Sequence, residues 1–521
     1  MAVKSIIRRG DYRDSVVLMR ISQQLEQLDG VSKASAMMAT DNNKELLKDA
    51  GLLTDEIKNA GANDLAIAVE ASTQDAAEKA VGKAAEFLSE APHEAGGEVV
   101  YKTASAAFDA VPDSNLALIS TPGDFAAREA MKALGAGKHV MIFSSDVPVE
   151  EELRMKKFAA ERGLLVMGPD CGTAILGGIG LGFSNVVRRG PVGIVGAAGT
   201  GIQEVSSILD EVGVSHAIGT GSHDLSDTVG GITMLAGLEA LEADEQTKVI
   251  VLISKPPSPK VSEKILEKIK NMKKPAVVDF IGGDPNLVEK YGGVSARTLE
   301  DAAQKAMSLL RGKKPWELKF TIPEERVKAI VDGESGKFSP TQKYIRGLFS
   351  GGTLCAESLF ILRDLIGDVY SNVALKPEMK LVDIHKSRSH TCVDMGTEDF
   401  VRGIPHPMID FRFRKERILR EAKDPEVSVI LLDVVLGIGA NSDPAGELEG
   451  AIQEAKATAK MGGRYLSFVA SVCGTRGDPQ GFAAQKGKLE EVGVVVMPSN
   501  AQAVRVAALI ATKGKVWGKL K

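Results

Sequence analysis

The residues whose types and spacing best suit chemistry are Ala198, Gly199, Thr200 and Gly201. They follow the apolar run 192–195 and precede IQEVSSIL, which has the pattern of an amphipathic helix. A strand that ends in small residues and turns into a helix presents backbone N–H groups with no intrahelical partner. The helix dipole adds positive character there, so the turn suits a phosphate or another anion. A tight βα turn forced by sterics alone would show the same glycines. The Lys-Ser/Thr pair of a nucleoside-triphosphate loop is missing. A second turn of this kind, Gly351-Gly352-Thr353, opens the helical pattern 354–365.

A third turn, Gly474-Thr475-Arg476, follows the apolar run 465–470. The Arg476 guanidinium could clamp a carboxylate or phosphate there, or pair with Asp478. His406 stands between two prolines and could be a general acid or base, or structural. Asp433 lies in the apolar run 427–434. It could hold magnesium or act in catalysis, or pair with the backbone or an arginine. Cys171, Cys355 and Cys473 sit at Gly-rich turns, where a thiolate could be stabilised or where a small buried residue simply fits. The stretches 387–391 and 219–224 are further anion-loop candidates, or plain loops.

The elements that must position these residues have an α/β rhythm. The chain has 521 residues, room for three or four domains. Net charge is −5 and aromatics are 5%, which points away from nucleic-acid and membrane surfaces. Four scattered cysteines without a CxxC pair point away from a structural zinc site or a disulfide framework. No signal-type segment or long apolar run occurs, so a cytoplasmic location is expected.

Strand patterns at 3–8, 31–38 and 65–69 with helical patterns from 15 and at 74–88 predict a small N-terminal α/β unit, 1–97, with a linker at 89–97. Alternating apolar runs and helices over 98–188 predict a parallel, partial Rossmann-like sheet. Residues 189–314 and 341–521 predict two flavodoxin-like domains that look duplicated, with 315–340 as the linker. In such sheets ligands sit at the carboxyl ends of strands.

GPDCGTAI (168–175) followed by VGIVGAAGTGIQEV resembles the α subunit of succinyl-CoA synthetase, and VILLDVVLGIG with SFVASVCGTRGDPQG resembles the β subunit's carboxy-terminal domain. The chain departs from that family in three places. DFIGG (279–283) is not followed by the family's phosphohistidine turn, the first coenzyme A loop has no counterpart, and no span suits an ATP-grasp domain. Neither coenzyme A nor ATP is therefore expected.

LGFSNVVRRGPVGIVGAAGTGIQEVSSIL, IGTGSHDLSDTVGGITML, RGLFSGGTLCAES and PHPMIDFR also resemble the FdrA family over nearly the full length. That resemblance implies a carbamoyltransferase subunit of anaerobic allantoin degradation. It would convert oxalurate and phosphate to oxamate and carbamoyl phosphate, with magnesium as cofactor and two further subunits as partners. In that reading the loops at 198–201 and 351–353 cradle phosphate from two domains. The alternatives are an NDP-forming acyl-CoA synthetase component and a non-catalytic assembly subunit.

Overall fold

The computed structural model describes residues 2–89 and 101–520, except Tyr12, Asp14, Arg402, Gly403 and the side chains of Ser15, Val16, Asn42, Asp49 and Ser89. The expected linker at 90–97 lies outside the described residues. Chain contacts divide the molecule into two units, residues 1–100 with 396–410, and residues 101–395 with 411–521.

The first unit contains β1 (Ala2–Arg8), α1 (Ser15–Glu26), β2 (Val31–Met38), α2 (Asp41–Asp49), α3 (Asp55–Lys58), β3 (Leu65–Ala71) and α4 (Gln74–Ser89). The strands form an antiparallel sheet, β1-β3-β2. Alternate side chains of β3 leave opposite faces of the sheet. Leu65, Ile67 and Val69 therefore join Leu18, Ile21 and Ala84 in one core, while Ala66 and Ala68 join Leu47 and Ile57 in another. Thr40 and Thr54 cap α2 and α3 by accepting from Asn43 N and Ile57 N.

The second unit begins with α5 (Ala104–Ala110), β4 (Leu116–Ile119), α6 (Gly123–Gly135), β5 (His139–Ile142), α7 (Val149–Ala160) and β6 (Val166–Met167). Its first sheet is parallel, β4-β5-β6, as the alternation of apolar runs and helices predicts. Next come β7 (Thr173–Leu176), β8 (Ile179–Gly182), β9 (Arg189–Gly196), α8 (Gly199–Ile208), β10 (Val214–Gly219), α9 (Ile232–Ala243) and β11 (Val249–Ser254). α10 (Pro259–Lys270), β12 (Ala276–Phe280), α11 (Pro285–Lys290), β13 (Val294–Ser295) and α12 (Leu299–Leu310) complete this part. The sheet order is β13-β12-β11-β9-β10-β7-β8. The strands β9 to β13 pair in parallel, and the β7–β8 hairpin joins β10 antiparallel.

The last part contains α13 (Glu324–Ser335), β14 (Tyr344–Phe349), α14 (Gly352–Ile366) and β15 (Thr391–Asp394). The short α15 (Glu398–Val401) belongs to the first unit. Then follow α16 (Arg412–Glu421), β16 (Val427–Val435), α17 (Pro444–Met461), β17 (Ser467–Cys473), α18 (Phe482–Glu491), β18 (Val495–Met497) and α19 (Asn500–Ala511). The sheet is fully parallel, β15-β14-β16-β17-β18.

The mixed α/β class with parallel sheets agrees with the sequence. The linker reading of 315–340 is corrected, because α13 lies inside it and buries Val327 and Val331, one turn apart. A buried lysine ties the first sheet of this unit to the second. Lys156 on α7 reaches Glu152 at 2.7 Å, Asp224 at 2.8 Å and the Thr220 carbonyl at 3.0 Å. Asp224 in turn accepts from Thr233 N and Met234 N at the start of α9.

Candidate functional site

β9 ends at Gly196, paired with Ile253 of β11, and the chain turns at Ala197 and Ala198 into α8. Ala198 contributes no side-chain cap. Ile202 N returns to Ala198 O at 2.8 Å, whereas Gly199 N, Thr200 N and Gly201 N have no partner among the described residues. These three N–H groups leave unpartnered donors at the start of α8, the kind of group from which an anion can accept hydrogen bonds. Thr173, at the start of β7, stands against it. Its hydroxyl is buried and unpartnered, 3.6 Å from where a Cβ on Gly199 would lie.

The first turn of α14 meets the first turn of α8. Thr353 N donates to Thr200 Oγ1 at 3.2 Å. A Cβ on Gly201 would lie 2.8 Å from Thr353 Cγ2, and one on Gly351 would lie 3.0 Å from Thr200. Glycine at these positions is what lets the two helix starts touch. The two turns therefore converge, but α14 is already occupied by protein groups. Gly351 N ends on Asp433 Oδ2 at 2.7 Å, and Ser350 N reaches Asp433 Oδ1 at 2.9 Å. The Asp394 carboxylate lies beside Gly352, 2.7 Å from its would-be Cβ. Of the two turns expected to share a phosphate, α8 retains the open donors.

Asp433 is fully buried, and Arg414 Nη2 donates to its Oδ1 at 2.6 Å. Its carboxylate anchors the start of α14 by the pairing with backbone and arginine that the sequence held open beside magnesium and catalysis. No group of three potential metal-binding side chains occurs among the described residues.

Arg476 is exposed and does not pair with Asp478, whose oxygens receive Asn185 Nδ2, Val186 N and Thr475 N. It lines an open cleft of about 650 Å³ with Val186, Arg188, Ser207, Asp210 and Phe482. Ser207 lies in the last turn of α8, about 12 Å along the helix from Gly199, and Asp210 lies just past its end. Gly474, Thr475 and Arg476 therefore form a separate place from the α8 receptor. Thr475 is engaged there, its hydroxyl donating to Val186 O at 2.6 Å.

His406 belongs to the first unit, where its Nδ1 accepts from Met408 N at 3.3 Å. The 387–391 loop is a pinned turn. Arg346 bonds Ser389 O, Arg417 Nη2 bonds Ser387 Oγ, and burial holds His390 down to about 4, hence neutral. Burial pushes the Cys171 thiol up to about 12 and those of Cys355 and Cys473 well above the usual range, which removes the thiolate option.

Sequence reasoning missed a buried acidic layer behind the two turns. Glu204 of α8 accepts from Asn500 N at 3.0 Å and is driven to about 7 by burial, with Glu357 and Glu300 adding to the rise. Glu357 of α14 accepts from Leu299 N and Asn500 Nδ2, both at 2.7 Å. Asp279 of β12 is buried with both oxygens unpartnered, and burial raises it well above its ordinary range. The only sequence signal is an acid at the sixth position of each Gly-opened helix, Glu204 and Glu357.

Gly-opened helices thus stand at the carboxyl ends of parallel strands in two sheets, and the family matches place the chain in the CoA-ligase class of α/β proteins. Residues 187–282 match a family model described as CoA binding domain, and residues 348–510 one described as CoA-ligase. Residues 1–103 match one described as AllF, heavy metal-associated domain. The chain is 44% identical over 517 residues to "Uncharacterized protein YahF" of Escherichia coli (strain K12), covering 99% of this chain and 100% of that protein. It belongs to the family of that protein, an acyl-CoA-synthetase-like family.

Succinate–CoA ligase [ADP-forming] subunit alpha 2 of Archaeoglobus fulgidus is 29% identical, over 41% of this chain and 77% of that subunit. Among solved structures, the apo form of the dinucleotide-forming acetyl-coenzyme A synthetase 1 of Ca. Korarchaeum cryptofilum aligns with a TM-score of 0.35 at 18% identity, over 82% of this chain and 89% of that one.

These matches overturn two expectations. Homologues and domains point to CoA ligases rather than a carbamoyltransferase, and the CoA-binding and CoA-ligase matches run against the exclusion of coenzyme A and nucleotide. The name of the 1–103 match implies a heavy metal, but the residues do not fit one. All four cysteines, 171, 355, 392 and 473, lie outside that segment. No helix among the described residues is long and apolar enough to cross a membrane.

Proposed function

We propose that the chain is a component of an NDP-forming acyl-CoA synthetase, of the narrower FdrA type by its motifs, working with partner chains on the acyl-phosphate half of the reaction. The observation that supports this reading is the first turn of α8, with Gly199, Thr200 and Gly201 N–H free beside the unpartnered Thr173 hydroxyl. Such donors hold the phosphoryl oxygens of an acyl phosphate and orient its carbonyl. Coenzyme A, when bound, would supply the thiol. With that thiol in place, the acyl carbon–oxygen bond would break as a carbon–sulfur bond formed, and the thiol proton would leave with inorganic phosphate. As the leaving phosphate gains charge, the three N–H groups and the dipole of α8 stabilise it.

The test is to incubate the purified chain with an acyl phosphate and coenzyme A, following thioester formation and phosphate release, with calorimetry on coenzyme A in parallel. Thioester and phosphate appearing in equal amounts support the reading. Absence of both coenzyme A binding and thioester formation rejects it.

A further inference from the structure

The start of α8 has a neighbouring cation at the end of β11. Lys255 is the first residue after β11. That strand lies against β9, and Ala197 N donates to Ile253 O at 3.1 Å, so the end of β11 runs beside the turn into α8. Ile253 Cγ2 is 3.3 Å from where a Cβ on Gly201 would stand, and Thr353 Cγ2 is 2.8 Å from the same point. Two residues beyond Ile253, Lys255 is exposed and has no hydrogen bond or ion pair among the described residues. Its charge is felt at Asp170, after β6, and at Cys355, in the first turn of α14. The lysine thus lies within electrostatic range of groups after β6 and at the start of α14.

We propose that Lys255 is the mobile counter-charge of a phosphoryl group held at the first turn of α8, selecting dianionic phosphate and acyl phosphate over a plain carboxylate. This rests on the reading of α8 given above. Backbone N–H groups and the Thr173 hydroxyl supply directional donors but no full charge. A phosphate carries about 1.5 to 2 negative charges near neutral pH, and a flexible ammonium adapts to it as a point charge. The acidic groups around it set a limit. Asp170, exposed after β6, faces Ser222, His223 and Lys255, which favour its ionised form, and Asp146, which opposes it.

The experiment is calorimetric titration of the full chain with inorganic phosphate, and separately with acetate, for wild type, Lys255→Ala and Lys255→Arg. Lys260→Ala, on the nearby start of α10, is the control. The expected result is a loss of about tenfold or more in phosphate affinity for Lys255→Ala, substantial recovery in Lys255→Arg, and little change for Lys260→Ala. Phosphate selectivity over acetate should fall in Lys255→Ala. Wild-type phosphate affinity in Lys255→Ala overturns the role of the lysine while leaving the α8 receptor intact. A wild-type chain that binds no phosphate overturns both. Unchanged thermal unfolding of the variants excludes loss of fold as the cause.

Discussion

The backbone N–H of Thr353 is satisfied by the hydroxyl of Thr200, 3.2 Å away, so the first turn of one helix caps the first turn of another. Two helix N-termini repel through their dipoles unless something negative lies between them. Here Asp433 and Asp394 stand on the α14 side, while the N–H groups of Gly199, Thr200 and Gly201 stay unpartnered among the described residues. Thr200→Val keeps the shape and removes the acceptor. It should cost about 1 kcal/mol of stability by leaving Thr353 N unpaired, and should weaken phosphate binding by disturbing the receptor. Chemical denaturation and phosphate titration measure the two effects.

Gly201 gives a second test. A Cβ there would lie 2.8 Å from Thr353 Cγ2, so Gly201→Ala must separate the two turns. Overpacking of this kind costs about 1–3 kcal/mol. A variant as stable as wild type would show that the helix starts do not press together in solution.

Asp433→Asn should be among the most damaging single changes. It leaves the Arg414 guanidinium fully buried without its counter-charge. Breaking one partner of a buried pair costs about 3–5 kcal/mol. Substituting both residues with apolar ones should recover part of the loss in urea unfolding, whereas a merely additive double mutant would reject the pairing as the source.

The acidic layer predicts a pH dependence with a definite sign. Glu204 and Glu300 titrate near 7 in the fold against an ordinary 4.5, chiefly through burial. The folded state therefore keeps protons that the unfolded chain has lost in this window. Their contribution is complete below 4.5 and fades as pH rises through 7. The thermal midpoint should fall between about pH 5.5 and about pH 8, and Glu204→Gln should flatten the slope. A midpoint that rises over this range would contradict the protonated layer.

The thiols supply a further check. Cys171 is held near 12 by burial, and Cys355 and Cys473 are also raised. Alkylation of the native chain at mildly alkaline pH should be slow at all three, and should become fast only after unfolding. Rapid modification at Cys355 under native conditions would reopen a nucleophilic role.

Much of the fold was legible because parallel strands buried on both faces read as plain apolar runs. VIVLIS and VSVILLDVV are examples, and each is followed by a glycine- or proline-marked turn. α13 was hidden by its charge, since Val327 and Val331 are its only buried apolar residues, set among acidic and basic neighbours. The turn at Gly199 was visible as an anion loop because its chemistry is local to the backbone. What Asp433 does was not visible, because Arg414 lies nineteen residues earlier and on a different element. Lys255 and Thr173 come together with α8 only through strand order, which spacing along the chain does not encode.

Lys156 bears on modularity. Its charge is neutralised half by its own helix, through Glu152, and half by Asp224 from the next sheet. A recombinant exchange that takes the β4–β6 segment from a relative without the matching loop after β10 would strand an ammonium in the interior. Crossover points between homologues should therefore be tolerated after residue 225 and rejected between 160 and 220, so this part of the chain is inherited as one block.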